Sequence, residues 1–380
     1  MTAPLIICLL LSLAYIVLIL SYRRGWEMQE DFVLPQNYKP RTKISIIVPA
    51  RNEAENIGKC ISSILQGNYL PEHFEVIVVD DHSEDDTANI VKAFNKENVK
   101  CIDLKSYLKD NGQIVAYKKM AIEAGIANSS GEVIVTTDAD CTVPAEWLMH
   151  IAAVYEKENA VMIAGPVNFI CDRSIAQQFQ SIDFMSMQGV TIATHQLKMG
   201  NMCNGANLAF SKEAYHKVDA YKGIDHLASG DDYLLMMKMQ ELYPNRISFL
   251  KSDKAIVQTN PQPDWTSFLQ QRIRWASKSG KYDDKKLTII LMLVYLYNFS
   301  FLFLTICGFA DHYYWFVVLL MLLLKIIVEY YFLIPVSKFF KKDIKLMSFA
   351  CMQALHIAYI ITAGFLGFVG VYIWKGRRVR

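Results

Sequence analysis

The chain has 380 residues, of which 53% are hydrophobic and 20% charged, with a formal net charge of +2. That length holds a soluble core plus a membrane unit, and a near-neutral balance with no basic run among aromatics excludes nucleic acid as a partner. Eight cysteines lie far apart without a Cys-x-x-Cys pair, which argues against a structural zinc site or a disulfide framework and fits buried thiols in a reducing compartment.

The apolar excess sits at the two ends. Residues 3–20 form a run long enough to span a bilayer, and Arg23 and Arg24 follow it. A cleaved signal peptide would carry its positive charge before the run. Residues 1–24 are therefore predicted to be a retained anchor with the arginines on the cytosolic side.

From 42 to 260, short apolar strands alternate with amphipathic helices. The predicted strands are Ile44–Val48, Glu75–Val79, Val99–Leu104 and Val133–Thr137. Helices are predicted over Ala54–Leu65 and near 117–127, with another opened by Ser83 as its cap and Asp86 three residues on. This rhythm predicts an α/β domain with a mostly parallel sheet and helices on both faces. No Gly-x-Gly-x-x-Gly or P-loop sequence supports a dinucleotide or P-loop reading.

Ligands of such sheets bind beyond the carboxyl ends of the strands. The sequence places Pro49-Ala50-Arg51-Asn52-Glu53, Asp80-Asp81-His82-Ser83 and Thr137-Asp138-Ala139-Asp140 there. Five carboxylates on one sheet edge repel one another unless something cationic joins them. A divalent cation shared with substrate phosphates is the simplest solution.

Further on, Gly230-Asp231-Asp232 reads, taken alone, as an acidic helix start. Pro263-Asp264 opens another helix, with Asp264 as cap. At about 100° per residue, Trp265, Phe268, Leu269, Ile273 and Ala276 share one face of it. Gln271, Arg274 and Lys278 point away, with Trp275 at the border, so 261–286 is predicted to be an amphipathic interface segment. In an ordinary interfacial helix the arginines meet lipid phosphates, a reading that suits Arg272 and Lys278.

Apolar runs at 287–310, 313–336 and 346–374 make 287–380 a C-terminal transmembrane region of about three segments. Lys325 and Glu329, four apart, are placed to form a structural ion pair rather than a transport path. The basic loop Lys338–Lys345 belongs on the cytosolic side. A single crossing by the third run would put Arg377, Arg378 and Arg380 outside, so its path is left open between a crossing, an interfacial start and a bend back.

The segments VPARNEAENI, VIVVDDHSEDDT, VTTDADC, MCNGANLAF, SGDD and QQRIRW occur in this order over roughly residues 42–280. One Asp-x-Asp is unspecific, but six segments in order are not. The chain resembles the inverting glycosyltransferases of family 2, in the membrane-anchored branch with a Gln-x-x-Arg-Trp motif. The resemblance implies a GT-A fold, Rossmann-like, followed by transmembrane helices. It also implies transfer of a sugar from a nucleotide-diphosphate donor, most commonly a UDP-sugar.

Carried over by position, the resemblance implies that Pro49, Asn52 and Glu53 line the nucleoside pocket, and that Asp81, with Asp80, accepts the N–H of the base. Lys118 or Lys119 supplies a cation near the donor, the plain alternative being two solvated lysines at a helix start. Asp138 and Asp140 form the Asp-x-Asp element for Mg²⁺ or Mn²⁺, one on the metal and the other on the ribose or the metal's water. Asn204, Gly205, Ala206 and Asn207 match the acceptor-side loop. Asp232 matches the general base, with Asp231 as the alternative. Gln271 and Arg274 match donor-diphosphate groups, and Trp275 an acceptor surface.

A compact soluble domain with about three membrane segments after it favours a membrane lipid or lipid-linked acceptor. The alternatives are a processive polysaccharide synthase and, in another class, a catalytically inactive membrane scaffold. A transporter needs none of the six segments. The expected location is a bacterial cell membrane, with the catalytic domain, residues 42–260, in the cytosol.

Overall fold

The computed structural model describes residues 3–107, 116–170, 174–225, 227, 230–277, 284–369, 372–374 and 377–379, with side chains as far as residue 368. Lys278 and Arg380, singled out above, and one of the eight cysteines, Cys171, lie outside the described residues. The chain forms two compact units, one of residues 30–170 and 201–260, the other of residues 1–29, 171–200 and 261–380.

Among the described residues, the first unit is built on nine strands: β1 Ile44–Ala50, β2 Phe74–Asp80, β3 Val99–Asp103, β4 Val133–Thr136, β5 Met162–Ala164, β6 Val167–Phe169, β7 Leu208–Ser211, β8 Ile247–Phe249 and β9 Val257–Thr259. Seven form one sheet in the order β3-β2-β1-β4-β7-β5-β8, with β7 antiparallel to both its neighbours and the other pairs parallel. β6 and β9 pair in parallel beside it. Every residue of β2 and β4 is buried, as are all but Pro49 of β1. Strands covered on both faces read as continuous apolar runs rather than alternations, which is how these segments read in the sequence.

Register aligns the strand ends. Ala50 stands opposite Asp80, and Ile47 opposite Thr136. The loops after β1, β2 and β4 therefore leave the sheet along one edge. The Tyr117–Ala127 helix backs onto β1 through Gly125, where a Cβ would lie 2.5 Å from Ile47 Cγ2. At the opposite end, buried Glu75 accepts from Ser45 Oγ, from Ser130 N and Oγ, and from Lys100 Nζ.

The sequence reading of Ser83 as a helix cap is corrected. The helix runs Thr87–Ala93 and follows Asp86, while Ser83 Oγ accepts instead from Asn52 N at 3.0 Å. Asp85 serves the first turn, accepting from the Thr87 N–H and hydroxyl.

The second unit is helical. Ala3–Met28, Lys285–Cys307, Tyr313–Phe339 and Leu346–Phe368 are each long and apolar enough to cross a membrane. Within the predicted 346–374 run Leu346–Val369 is helix, and Tyr372–Trp374 pairs antiparallel with Arg377–Val379. Lys325 and Glu329 do pair, inside the unit, with Gln353 and Tyr15 completing their hydrogen bonds. Residues 171–200, drawn from the sequence into the catalytic domain, group with these helices. Their helix, Ile175–Leu197, packs on Ala3–Met28 at Gly25, where a Cβ would meet Ala193 O at 2.6 Å.

Candidate active site

Three loops meet at the sheet edge. The loop after β1 turns at Asn52, which adopts φ +53°. Asn52 Oδ1 accepts from Glu84 N, Glu53 N donates to Thr87 Oγ1, and Ala54 N donates to Asp85 Oδ2. The loop after β2 is thus laced to it, by Ser83, Asp85 and Thr87 as much as by the residues singled out from the sequence. Asp81 Oδ1 lies 3.8 Å from Arg51 and 2.9 Å from His82 Nδ1. Asp80 Oδ2 accepts weakly from Ser83 N at 3.4 Å, while its buried Oδ1 has no protein partner. A buried carboxylate oxygen without a donor is costly, and an N–H from a ligand would relieve it. Pro49, the penultimate residue of β1, is partly exposed and stands opposite Val79.

The loop after β4 carries Asp138 and Asp140. Their carboxylates and the Cys141 thiol have atoms all within 4.8 Å of one another. Asp140 Oδ2 accepts from Thr259 Oγ1 at 3.2 Å, at the end of β9. Burial, then the charges of Asp138 and Glu53, push the Asp140 carboxyl up to about 6. Burial and the same two aspartates raise the Cys141 thiol well above its usual range. This is a donor set short of positive charge, and two carboxylate oxygens at this spacing fit Mg²⁺ or Mn²⁺.

One side chain joins this loop to the acid pair. Lys118 Nζ, on the first turn of the Tyr117–Ala127 helix, lies 2.9 Å from Asp138 Oδ1 and 3.3 Å from Asp231 Oδ2. Burial alone would lower the pKa of this ammonium, but the charges of Asp138 and Asp231 outweigh it and hold the group above its ordinary value. Gly205 lies against the same cluster. A Cβ there would come within 3.3 Å of Asp231 Oδ2, 3.5 Å of Lys118 Nζ and 3.7 Å of Asp232 Cβ. Gly205 N donates to Asp232 Oδ2, and Tyr233 N donates to Asp232 Oδ1. Asp232 does cap the Tyr233–Leu242 helix, as an acidic helix start should, and both its oxygens are oriented by backbone N–H groups.

Two expectations are corrected here. Lys119, the alternative to Lys118, is 1% exposed, and its ammonium donates to Ile224 O and Leu227 O. It braces the stretch before Gly230. Asn207, expected on the acceptor side, is also 1% exposed. Its Nδ2 donates to Pro166 O and Ala255 O, and its Oδ1 accepts from Trp147 Nε1, so the amide is saturated by protein partners. Ala206 is buried beside it, while Asn204 stays partly exposed and caps the short turn by accepting from Ala206 N.

In the helical unit, Trp265–Ala276 is a helix capped by Asp264, which accepts from Ser267 N at 2.8 Å. Phe268 and Ile273 are buried and Gln271, Arg274 and Trp275 partly exposed, but Arg272 does not meet lipid as expected. It is 4% exposed and donates through Nε and Nη2 to Asp183 Oδ2, at 3.0 and 2.6 Å.

The comparisons with known proteins match this architecture. Residues 133–366, more than half of the chain, match the family described as Glycosyl transferase family group 2. The chain belongs to that family. Residues 45–218 also match Glycosyl transferase family 2. Glycosyltransferase AglE of Haloferax volcanii is 28% identical over 191 residues, which cover 50% of this chain and 58% of AglE. A beta-monoglucosyldiacylglycerol synthase of Trichormus variabilis is 28% identical over 34% of this chain and 28% of its own length. The matched segment is thus less than two thirds of either relative. A solved structure of the mannosyltransferase PcManGT from Pyrobaculum calidifontis, in complex with GDP-Man and Mn²⁺, superposes with a TM-score of 0.57. That superposition covers 97% of each chain at 16% identity. At such identity the likeness concerns the fold, which for this family 2 chain is the anticipated GT-A arrangement plus long apolar helices.

Proposed function

We propose that the chain is a membrane-embedded inverting glycosyltransferase that moves a sugar from a nucleotide-diphosphate donor, of which a UDP-sugar is the expected kind, to a hydroxyl of a membrane lipid or lipid-linked acceptor. The observation that carries this reading is the Lys118 cluster, which brings the Asp-x-Asp loop and the acid pair to one place at the carboxyl edge of the sheet. The four long apolar helices, and the lipid product in the name of one relative, support the choice of acceptor. The basic residues after the first helix and in the Lys338–Lys345 loop support a cytosolic catalytic unit.

In this reading Asp232, oriented by the Gly205 and Tyr233 N–H groups, takes the proton of the acceptor hydroxyl as its oxygen attacks the anomeric carbon. The bond to the diphosphate oxygen breaks on the opposite side, in one step, with inversion. Asp138 and Asp140 would hold Mg²⁺ or Mn²⁺, which when bound supplies charge neutralisation for the diphosphate leaving group. Lys118 holds Asp138 and Asp231 together until the donor arrives and then offers its charge to the phosphates. Asp80 and Asp81 receive the base, beside Pro49, Asn52 and Glu53. Arg274 suits a diphosphate because its planar fork makes paired charge-assisted bonds to phosphate oxygens. Trp275 gives the acceptor an apolar surface.

The test is a donor-hydrolysis panel on detergent-purified protein. It follows nucleoside diphosphate release from UDP-, GDP- and dTDP-sugars with Mn²⁺, Mg²⁺ or a chelator, against Asp140→Ala. Metal-dependent release from one donor, lost in the variant, supports the reading and names the sugar. No release from any donor, with membrane lipid extract present, would replace it with the inactive scaffold.

A further inference from the structure

Asp183 belongs to none of the six segments that carry the resemblance. It sits on the Ile175–Leu197 helix, 3% exposed, inside the helical unit. Its Oδ2 takes both the Nε and Nη2 hydrogens of Arg272, and the Arg272 guanidinium lies between the Phe268 and Trp275 rings, 4.7 and 4.3 Å from their centroids. Asp183 Oδ1 accepts from Tyr359 Oη and has His356 Nε2 at 3.8 Å. On its other side His356 Nδ1 is 3.4 Å from Lys325 Nζ, which reaches Glu329 and Gln353. A continuous polar chain thus runs from the apolar helices to Arg272.

What Arg272 does next is specific. Its Nη1 donates to Gln271 Oε1 at 3.1 Å. A guanidinium has only donors, so the Gln271 atom facing it must be the amide oxygen, which fixes the amide's orientation. The Gln271 Nε2 hydrogens are then turned away from Arg272. The Leu346–Val369 helix closes on the same segment at Gly367, where a Cβ would stand 2.7 Å from Ala276 Cβ. Buried ion pairs contribute little net stability beside apolar packing of the same volume, so orientation is the better account of this one.

We propose that Asp183 is a positioning residue that, through Arg272, presents Gln271 as a hydrogen-bond donor. An amide N–H of this kind suits an anionic oxygen such as a phosphate's. This rests on the glycosyltransferase reading above, in which the Trp265–Ala276 helix serves the donor.

The experiment is a double-mutant cycle on the full chain in detergent, with nucleoside diphosphate release as the readout. Asp183→Asn keeps the volume and weakens the hold on Arg272; it should lower kcat about tenfold and leave the donor KM within about twofold. Gln271→Ala should lower kcat at least as far. Because Asp183 acts through Gln271, adding Asp183→Asn to Gln271→Ala should cost less than about twofold more. Effects that multiply would overturn the proposal, since a merely structural loss is felt in both backgrounds. If Asp183→Asn elutes as aggregate, Tyr359→Phe, which removes one donor to Asp183, takes its place in the cycle under the same criterion. Asp232→Asn serves as the control. If Asp232→Asn and Asp231→Asn both match wild type, the functional reading fails; if Asp232→Asn is inactive while the cycle is multiplicative, only the role of Asp183 fails.

Discussion

Lys118 Nζ lies 2.9 Å from Asp138 Oδ1, where a divalent cation would otherwise be the nearest positive charge. The same ammonium reaches Asp231, so the two loops are held together by an internal cation. Lys118→Met should then separate two effects. Mn²⁺ alone should bind about tenfold more tightly, ~1.4 kcal/mol, because a competing charge is gone. Turnover should fall, because the charge is missing once the donor is bound. Mn²⁺ titration by calorimetry beside steady-state kinetics checks both signs, and weaker Mn²⁺ binding would contradict this account of Lys118.

Asp231 and Asp232 have different surroundings and should fail differently. Asp232→Asn should reduce kcat by a factor of about 10² to 10⁴, the usual range for removing a general base. Asp231→Asn leaves the oriented base in place but takes a partner from Lys118, so its loss should be smaller and accompanied by a higher donor KM. Parallel kinetics on the two variants decide the assignment, and the reverse ranking would move the base to Asp231.

Glu75 gives a pH-dependent contribution to stability far from the site. Burial disfavours its charge, but Lys100, the Ser130 N–H and two serine hydroxyls outweigh it and bring its pKa down from 4.5 to about 2. A depressed folded-state pKa stabilises the fold above the unfolded value, and that stability is lost as pH falls through the folded one. Glu75→Gln should therefore lower stability by about 2 kcal/mol at neutral pH. The gap to wild type should close between pH 4.5 and about 2, as thermal melts across that range would report.

Gly125 and Ile47 should be energetically linked. Gly125→Ala gains helix propensity of about 1 kcal/mol, but its methyl would lie 2.5 Å from Ile47 Cγ2 between a helix and a central strand. Overpacking of that kind costs about 1–3 kcal/mol. The variant should melt below wild type, and Gly125→Ala combined with Ile47→Ala should be more stable than the two single losses predict. Additive losses would mean the helix simply moves away.

The sequence made the strands of the sheet legible, because central parallel strands are apolar throughout and their loops carry the polar residues. It also singled out Asp138 and the Asp231-Asp232 pair, which Lys118 joins in the structure. Other features depend on partners far away in the chain. Lys119 and Asn207 looked like site residues, but their polar atoms are taken by Ile224, Leu227, Pro166 and Ala255. Arg272 looked like a lipid-facing arginine because Asp183, 89 residues away, carries no motif. Asp85 went unnoticed because local capping favoured Ser83, whereas the cross-tie to Ala54 links two loops.

Lys118 and Lys119 are identical neighbours, and nothing in their chemistry tells them apart. A step of about 100° around the helix sends the first to the carboxylates and the second to the carbonyls of Ile224 and Leu227. Such a pair is not a redundancy. Deletion of one residue ahead of it would rotate the helix by about 100°, bring the second lysine to the place of the first and leave the carbonyls without their ammonium, with the dipeptide intact. Two copies of one letter are here two different instructions, and drift at this place should be far more tolerant of a changed surface residue than of a shifted frame.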